Sequence, residues 1–202
     1  MTEPRRLVLA SQSPARLQLM RQAGLDPEVV VSGVDESAVT APRVAELVAL
    51  LASAKAAAVA ENESDALVVA ADSVLEFRGQ ALGKPADVAD AQLRWQRMSG
   101  RSGVLHTGQA VFEVRDGTVT QRDVGVSSTV VHFASPTAAE LEAYLATGEP
   151  LAVAGAFTLD GLGAPFVRRV EGDPSAVVGL SLPLLRTQLA KLGVSLTELW
   201  RR

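Results

Sequence analysis

The run Ala66-Leu67-Val68-Val69-Ala70-Ala71 constrains this chain more than any other segment. Six consecutive apolar residues with no polar face suit a central strand covered by other structure. The run ends abruptly at Asp72. A carboxylate placed there costs free energy unless a metal, a cation or water compensates it. Val74 to Phe77 continues extended, and Arg78-Gly79-Gln80 reads as a turn. A second constraint lies further on. Val104–Arg115 and Val119–Phe133 are rich in Val and Thr, and Asp116-Gly117 between them is a strong hairpin signal.

Helical patterns fill the spaces between these strands. Leu7 to Ala10 reads as a short buried strand, followed by Ser13 and Pro14 as N-cap and first residue of a helix that Gly24 closes. Leu17, Met20 and Ala23 form its apolar stripe, and Glu28 to Ser32 is a second strand candidate. A helix covers Arg43 to Ala60, with Leu47, Leu51, Ala54 and Ala58 sharing one face. Asp87 caps a helix reaching Met98, and Ser135-Pro136 starts another that ends before Gly148. After a glycine-rich stretch, Gly155 to Gly163, come a strand at Phe166 to Val170 and helices at Leu182–Leu192 and Leu196–Arg201. No repeat, low-complexity tract or linker divides the chain. This order predicts one α/β domain over residues 1–202, with a mixed sheet and two lobes about a central cleft. Ligands in such sheets sit where strands end and helices begin.

Composition narrows the function. Hydrophobic residues make up 48% of the 202, enough for one core or one core divided between two lobes. Cysteine is absent, which rules out disulfides, thiolate zinc sites and cysteine nucleophiles. A net charge of −4 and only 4% aromatic residues argue against nucleic-acid binding. The charged Met1–Arg6 precedes an apolar run too short for a signal-peptide core, and no stretch approaches the roughly 20 residues of a membrane span. A cytoplasmic protein without a membrane partner is expected. The two histidines, His106 and His132, lie in strand-like segments and are expected to be structural. A metal site would therefore rest mainly on carboxylates, whose oxygens favour Mg²⁺ or Mn²⁺.

Local chemistry gathers in five places. Ser11-Gln12-Ser13-Pro14-Ala15-Arg16 leads a strand into a helix N-terminus, where free N–H groups, two hydroxyls and a guanidinium favour an anion. The plainer alternative makes Ser13 a simple cap and Arg16 a surface residue. Asp72 follows the apolar strand, where catalytic groups cluster in α/β proteins, or else caps a turn. Gly83-Lys84-Pro85 is not a P-loop, since Pro85 stands where Ser or Thr belongs. Lys84 could reach a phosphate from a constrained loop, or simply be solvated. Asp35-Glu36 reads alone as a solvated turn, and Lys55 is a cation in an Ala-rich helix whose stem could snorkel along it. Gly161-Leu162-Gly163 lacks the third glycine and the context of a dinucleotide fingerprint.

Taken together, the segments resemble the Maf family of nucleotide pyrophosphatases. The match runs through Leu9-Ala10-Ser11-Gln12-Ser13-Pro14-Ala15-Arg16, Val34-Asp35-Glu36, Ala54-Lys55-Ala56, Ala70-Ala71-Asp72-Ser73-Val74 and Leu82-Gly83-Lys84-Pro85. It continues through Ser99-Gly100-Arg101, Thr107-Gly108, Gly148-Glu149-Pro150, Ala154-Gly155-Ala156-Phe157, Gly161-Leu162-Gly163 and Val177-Val178-Gly179-Leu180. One such motif is weak, but the ordered set covers nearly the whole chain. The resemblance implies an elongated mixed sheet flanked by helices, related in architecture to inosine triphosphate pyrophosphatases. It further implies hydrolysis of nucleoside triphosphates to monophosphate and pyrophosphate, a divalent metal, Mg²⁺ or Mn²⁺, and a homodimer. It carries catalytic roles onto Asp72, Glu36, Lys55 and Lys84. Asp72 would accept the proton, Glu36 and Asp72 would hold the metal, and Ser11, Arg16, Lys55 and Lys84 would grip the triphosphate.

Three positions track substrate choice in that family. Members acting on dTTP and UTP carry Arg, Thr and Gln there, and members acting on 7-methyl-GTP carry Trp, Gln and Glu. This chain has Ala15, Ser73 and Asp160, which match neither set, so a broad base preference is expected. The competing expectation is a non-catalytic nucleotide-binding regulator of cell division. The presence of both Asp72 and Glu36 argues against it, because mere binding needs no such pair.

Overall fold

The computed structural model describes residues 5–201. The single domain expected over residues 1–202 also takes in residues 1–4 and 202, which lie outside the described residues. In chain order the elements are β1 (Leu7–Leu9), α1 (Pro14–Gln22), β2 (Glu28–Val29), α2 (Val44–Ala60), β3 (Ala66–Phe77), β4 (Gln80–Leu82) and α3 (Val88–Met98). They continue with β5 (Ser102–Arg115), β6 (Thr118–Phe133), α4 (Ala138–Ala146), β7 (Val167–Glu171), α5 (Pro174–Val178) and α6 (Leu182–Lys191). No described helix is long and apolar enough to cross a membrane.

The strands form one mixed sheet in the order β2-β1-β3-β5-β6-β7, with β4 also paired to β3. β1 runs parallel to β2 and β3, while β3, β5, β6 and β7 are successively antiparallel. Both tight hairpins close through two residues of positive φ: Arg78 and Gly79 between β3 and β4, Asp116 and Gly117 between β5 and β6. Such turns match the twist of the strands they join. On one edge of β3, β1 covers Leu67–Val69 and β4 covers Leu75–Phe77. The stretch between them, Ala70–Val74, is bordered by the loop leaving β1 and the turn leaving β4.

The apolar side chains divide into three cores. Val8, Val68, Ala70 and Ala110 pack with Ala52 and Ala56 of α2 on one face of the sheet. Leu7, Leu9, Leu67, Val69 and Val111 pack with Met20 of α1 and Leu185 and Leu189 of α6 on the opposite face. The third core lies further along the long strands, where Leu75, Phe77, Leu105 and Phe133 meet Trp95 of α3 and Tyr144 of α4. Trp95 stands edge-on to Phe133 and Tyr144 and donates its indole N–H to the Ala156 carbonyl at 2.7 Å. These cores give the molecule its two lobes. Between them β3 and β5 carry Asp72, Ser73, Thr107 and Gln109, a polar waist between apolar cores.

Four local readings change. The strand does not end at Asp72: β3 runs unbroken through it to Phe77, because Asp72 and Ser73 continue to pair with Gly108 and Thr107 of β5. On α2 the buried face follows Val48, Ala52, Lys55, Ala56 and Val59 rather than Leu47, Ala54 and Ala58, although Leu51 is buried as expected. Helix α4 begins after Pro136, where Thr137 and Glu140 form a capping box. The last expected helix is a 3-10 turn, Leu196–Leu199.

At the waist Gln109 is fully buried. It donates to Gln188 Oε1 at 2.8 Å and accepts the Ser181 backbone N–H at 2.9 Å. Replacing it with methionine keeps the volume but leaves both partners unpaired. Each unpaired buried group costs about 1–3 kcal/mol, so Gln109→Met should lose roughly 3 kcal/mol of unfolding free energy, read from urea midpoints.

Candidate active site

The site is built first by α2. In a helix this rich in alanine, the side chains are short and the helix axis can approach the sheet closely. The approach is tightest at Gly108 of β5, where an added Cβ would lie 2.1 Å from the Val48 carbonyl oxygen. Two turns further along the same buried face comes Lys55. Asp72 shares strand parity with Val68 and Ala70, so its carboxylate points toward α2. Lys55 Nζ donates to Asp72 Oδ1 at 2.6 Å, with both side chains only 10% exposed. The lysine therefore does not snorkel along the helix. It is drawn into the sheet by the carboxylate that would otherwise be unpaired there.

Glu36 completes this cluster. It opens a short 3-10 turn, Glu36–Ala38, whose N-cap is Asp35. Asp35 is occupied locally, accepting the N–H and the hydroxyl of Ser37 at 3.0 and 2.6 Å. Glu36 instead reaches Lys55 Nζ at 2.6 Å, with its side chain 54% exposed. One ammonium thus bridges a buried carboxylate and an open one.

Ser73 points to the opposite face of β3, toward α1, α5 and α6. Here the Ser11-to-Arg16 segment returns. Ser13 caps α1 through the Arg16 N–H, and Pro14 follows as its first residue. Arg16 donates Nε to the Gly179 carbonyl at 2.7 Å, Nη1 to Ser11 Oγ at 3.1 Å and Nη2 to Ser73 Oγ at 3.4 Å. A Cβ at Gly179 would come within 3.2 Å of Arg16 Nε, so a glycine there leaves room for the guanidinium. Burial lowers the Arg16 pKa, and the carboxylates of Asp72 and Glu36 oppose that shift. The guanidinium stays charged in any case. Its five N–H donors are only partly used, which leaves hydrogen-bonding capacity for an anion.

The structure thus brings together Asp72, Lys55 and Glu36, and links Ser11, Arg16 and Ser73. Ala15 lies in the first turn of α1, partly buried. Lys84 stays exposed on the turn after β4 and outside these hydrogen-bonded clusters. That turn is constrained, since the Gly83 carbonyl accepts from Arg94 Nη1 at 2.6 Å and from the Gly155 N–H at 3.1 Å. Asp160 is exposed on the loop after Phe157, likewise outside the clusters. Its loop is organised by Glu149, which accepts the N–H groups of Leu162 and Gly163, each at 3.1 Å. Burial raises the Glu149 pKa, but the Thr158 hydroxyl and these N–H groups outweigh it and hold the carboxyl below its usual range. The histidines pair away from the clusters, His106 with Glu76 and Ser128, His132 with Glu171 and Ser102.

Residue-by-residue reasoning missed Thr107, Gln109 and Gln188, all fully buried. Only Thr107 carried a signal, as part of the Thr107-Gly108 pair. Among the described residues, no group of three or more His, Asp or Glu side chains could hold a metal alone. The position shared by the Glu36 and Asp72 carboxylates is filled by the Lys55 ammonium, so Mg²⁺ would use their remaining lone pairs, with substrate phosphates and water completing its oxygen ligands.

Comparison with known proteins finds relatives over nearly the whole chain. The family model described as Maf-like protein matches residues 6–192. A Streptomyces coelicolor protein named nucleoside triphosphate pyrophosphatase is 59% identical over 198 residues, covering 97% of this chain and 95% of its own. One of the same name from Salinispora tropica is 56% identical over 204 residues, covering 98% of this chain and 89% of its own. Among solved structures, a HAM1 protein from Coxiella burnetii aligns with a TM-score of 0.40 and 19% identity, over 65% of this chain and 74% of its own. That likeness is too loose to inform the site.

Proposed function

The chain belongs to the Maf family, and on that premise we propose that it hydrolyses nucleoside triphosphates to a monophosphate and pyrophosphate at the cluster of Asp72, Lys55 and Glu36. Relatives named nucleoside triphosphate pyrophosphatase support the reaction class. The observation that carries the reading is the single ammonium of Lys55 at 2.6 Å from both carboxylates, with the Arg16 guanidinium across the sheet, near enough to feel their charge and with N–H groups to spare.

A triphosphate brings several negative charges toward two carboxylates. Lys55 and Arg16 offset those carboxylates, so an anion can approach them. Asp72 gives Oδ1 to Lys55, and no described residue hydrogen-bonds its other carboxylate oxygen. That oxygen accepts the proton of the attacking water. Arg16, Ser11 and Lys84 hold the phosphates in line, so that the water adds to the α-phosphorus as the bond to the bridging oxygen breaks and pyrophosphate leaves. Glu36 and Asp72 would hold a divalent cation, Mg²⁺ or Mn²⁺, which when bound would supply polarisation of water and neutralisation of phosphate charge.

Ala15, Ser73 and Asp160 form neither specificity pattern, and the proposal includes broad use of bases. It also includes a homodimer acting in the cytoplasm, without nucleic-acid or membrane partners. The test is turnover of a triphosphate panel with Mg²⁺ or Mn²⁺ and with excess chelator, products separated by chromatography. Monophosphate formation that stops with chelator is expected. Nucleotide binding without turnover would make the chain a regulator instead.

A further inference from the structure

The hydroxyls at the waist form a chain with a fixed direction. Thr107 Oγ1 lies 2.8 Å from the Ala176 carbonyl of α5, and a carbonyl can only accept. The one hydroxyl proton of Thr107 is therefore committed to α5. The contact between Ser73 Oγ and Thr107 Oγ1, at 2.9 Å, can then run only from Ser73 to Thr107. Ser73 has no second proton. Toward Arg16 Nη2, at 3.4 Å, it acts as an acceptor, and any lone pair left over can also only accept.

The strand register holds this arrangement in place. Ser73 faces Thr107 across β3 and β5. The Leu67 N–H points to β1, so odd residues of β3 turn their backbone groups away from β5. Ser73 and Thr107 therefore form a non-hydrogen-bonded pair, the kind in which side chains stand closest. Thr107 is 0% exposed and cannot touch a ligand, whereas Ser73 is partly exposed.

We propose that Thr107 is a positioning residue for nucleotide selectivity: by taking the proton of Ser73, it makes Ser73 an obligate acceptor that favours an N–H or O–H donor on the bound nucleotide. The proposal rests on the reading above and adds that Ser73, partly exposed and accepting from the Arg16 that holds the phosphates, meets the bound nucleotide. A site built to receive a donor discriminates against an edge that presents only lone pairs, since two acceptors then face each other.

The test measures kcat/KM for UTP against CTP, and for GTP against ATP, in the wild type and in Thr107→Val, Thr107→Ala, Thr107→Ser, Ser73→Ala and the double variant Thr107→Val/Ser73→Ala. Valine and alanine release the Ser73 proton, and one of the two ratios should move by about fivefold or more, in the range one hydrogen bond controls. Serine at 107 should restore the wild-type ratios. With Ser73 absent, Thr107→Val should change neither ratio further. A general loss of stability lowers all substrates together and leaves the ratios alone. If Ser73→Ala shifts the ratios while Thr107→Val and Thr107→Ala do not, the role of Thr107 is overturned and the reading of Ser73 stands. If Ser73→Ala shifts nothing, both fall.

Discussion

Asp72→Asn should lower kcat by about 10³-fold, within the range expected for loss of a general base. Asparagine keeps the shape of the side chain and an oxygen that can still accept from Lys55. It loses the capacity to take a proton. Because Glu36 also holds Lys55 at 2.6 Å, the ammonium keeps a charged partner and the fold should survive. Melting curves recorded with the kinetics separate the two effects. A near-normal melting temperature with little turnover is the expected pair. Retention of more than about a tenth of kcat would be too small a loss for a general base and would move the proton to another acceptor.

The largest effect on stability should come from Gly108→Ala. Its Cβ would meet the Val48 carbonyl oxygen at 2.1 Å, the Val48 carbonyl carbon at 2.2 Å and the Ala49 nitrogen at 2.6 Å. All three are backbone atoms of α2, so no side-chain rotation relieves the overlap. The helix must move off the sheet, and Lys55 moves with it. Overpacking of this kind typically costs about 1–3 kcal/mol, and a backbone clash places Gly108→Ala at roughly 3 kcal/mol or above. Gly83→Ala is the control, since nothing lies within 4 Å of its Cβ. There the change should be neutral or slightly stabilising through the unfolded chain. Urea midpoints for both variants check the contrast. Activity of Gly108→Ala should fall as well, because the distance from Lys55 to Asp72 depends on how closely α2 sits.

The parts of the fold that were legible in the sequence are those set by neighbours in the chain. The Asp116-Gly117 turn, the apolar run of β3 and the Ser13 and Asp87 caps are local signals, and they appear in the structure as such. Thr137 and Glu140 carried an equally local signal, which the nearby Ser135-Pro136 pair masked. The waist was harder to read. β3 seemed to stop at Asp72 because two polar residues interrupt its pattern. What permits them there are Lys55 and Thr107, 17 and 34 residues away. The face of α2 was misjudged because alanines on every side give no contrast between buried and exposed positions. Gln109 and Gln188 satisfy each other across 79 residues, a pairing no local pattern announces. Family resemblance supplied the site residues as a set. Only the folded chain separates them into the Asp72 cluster on one face and the Arg16–Ser73 link on the other.

The central claim is that water attacks the α-phosphorus beside Asp72 and expels pyrophosphate. Hydrolysis in ¹⁸O-labelled water, with products resolved by phosphorus NMR or mass spectrometry, tests it directly. The account predicts one labelled oxygen in the nucleoside monophosphate and none in the pyrophosphate. Label in the pyrophosphate, or release of a nucleoside diphosphate with labelled orthophosphate, would contradict it.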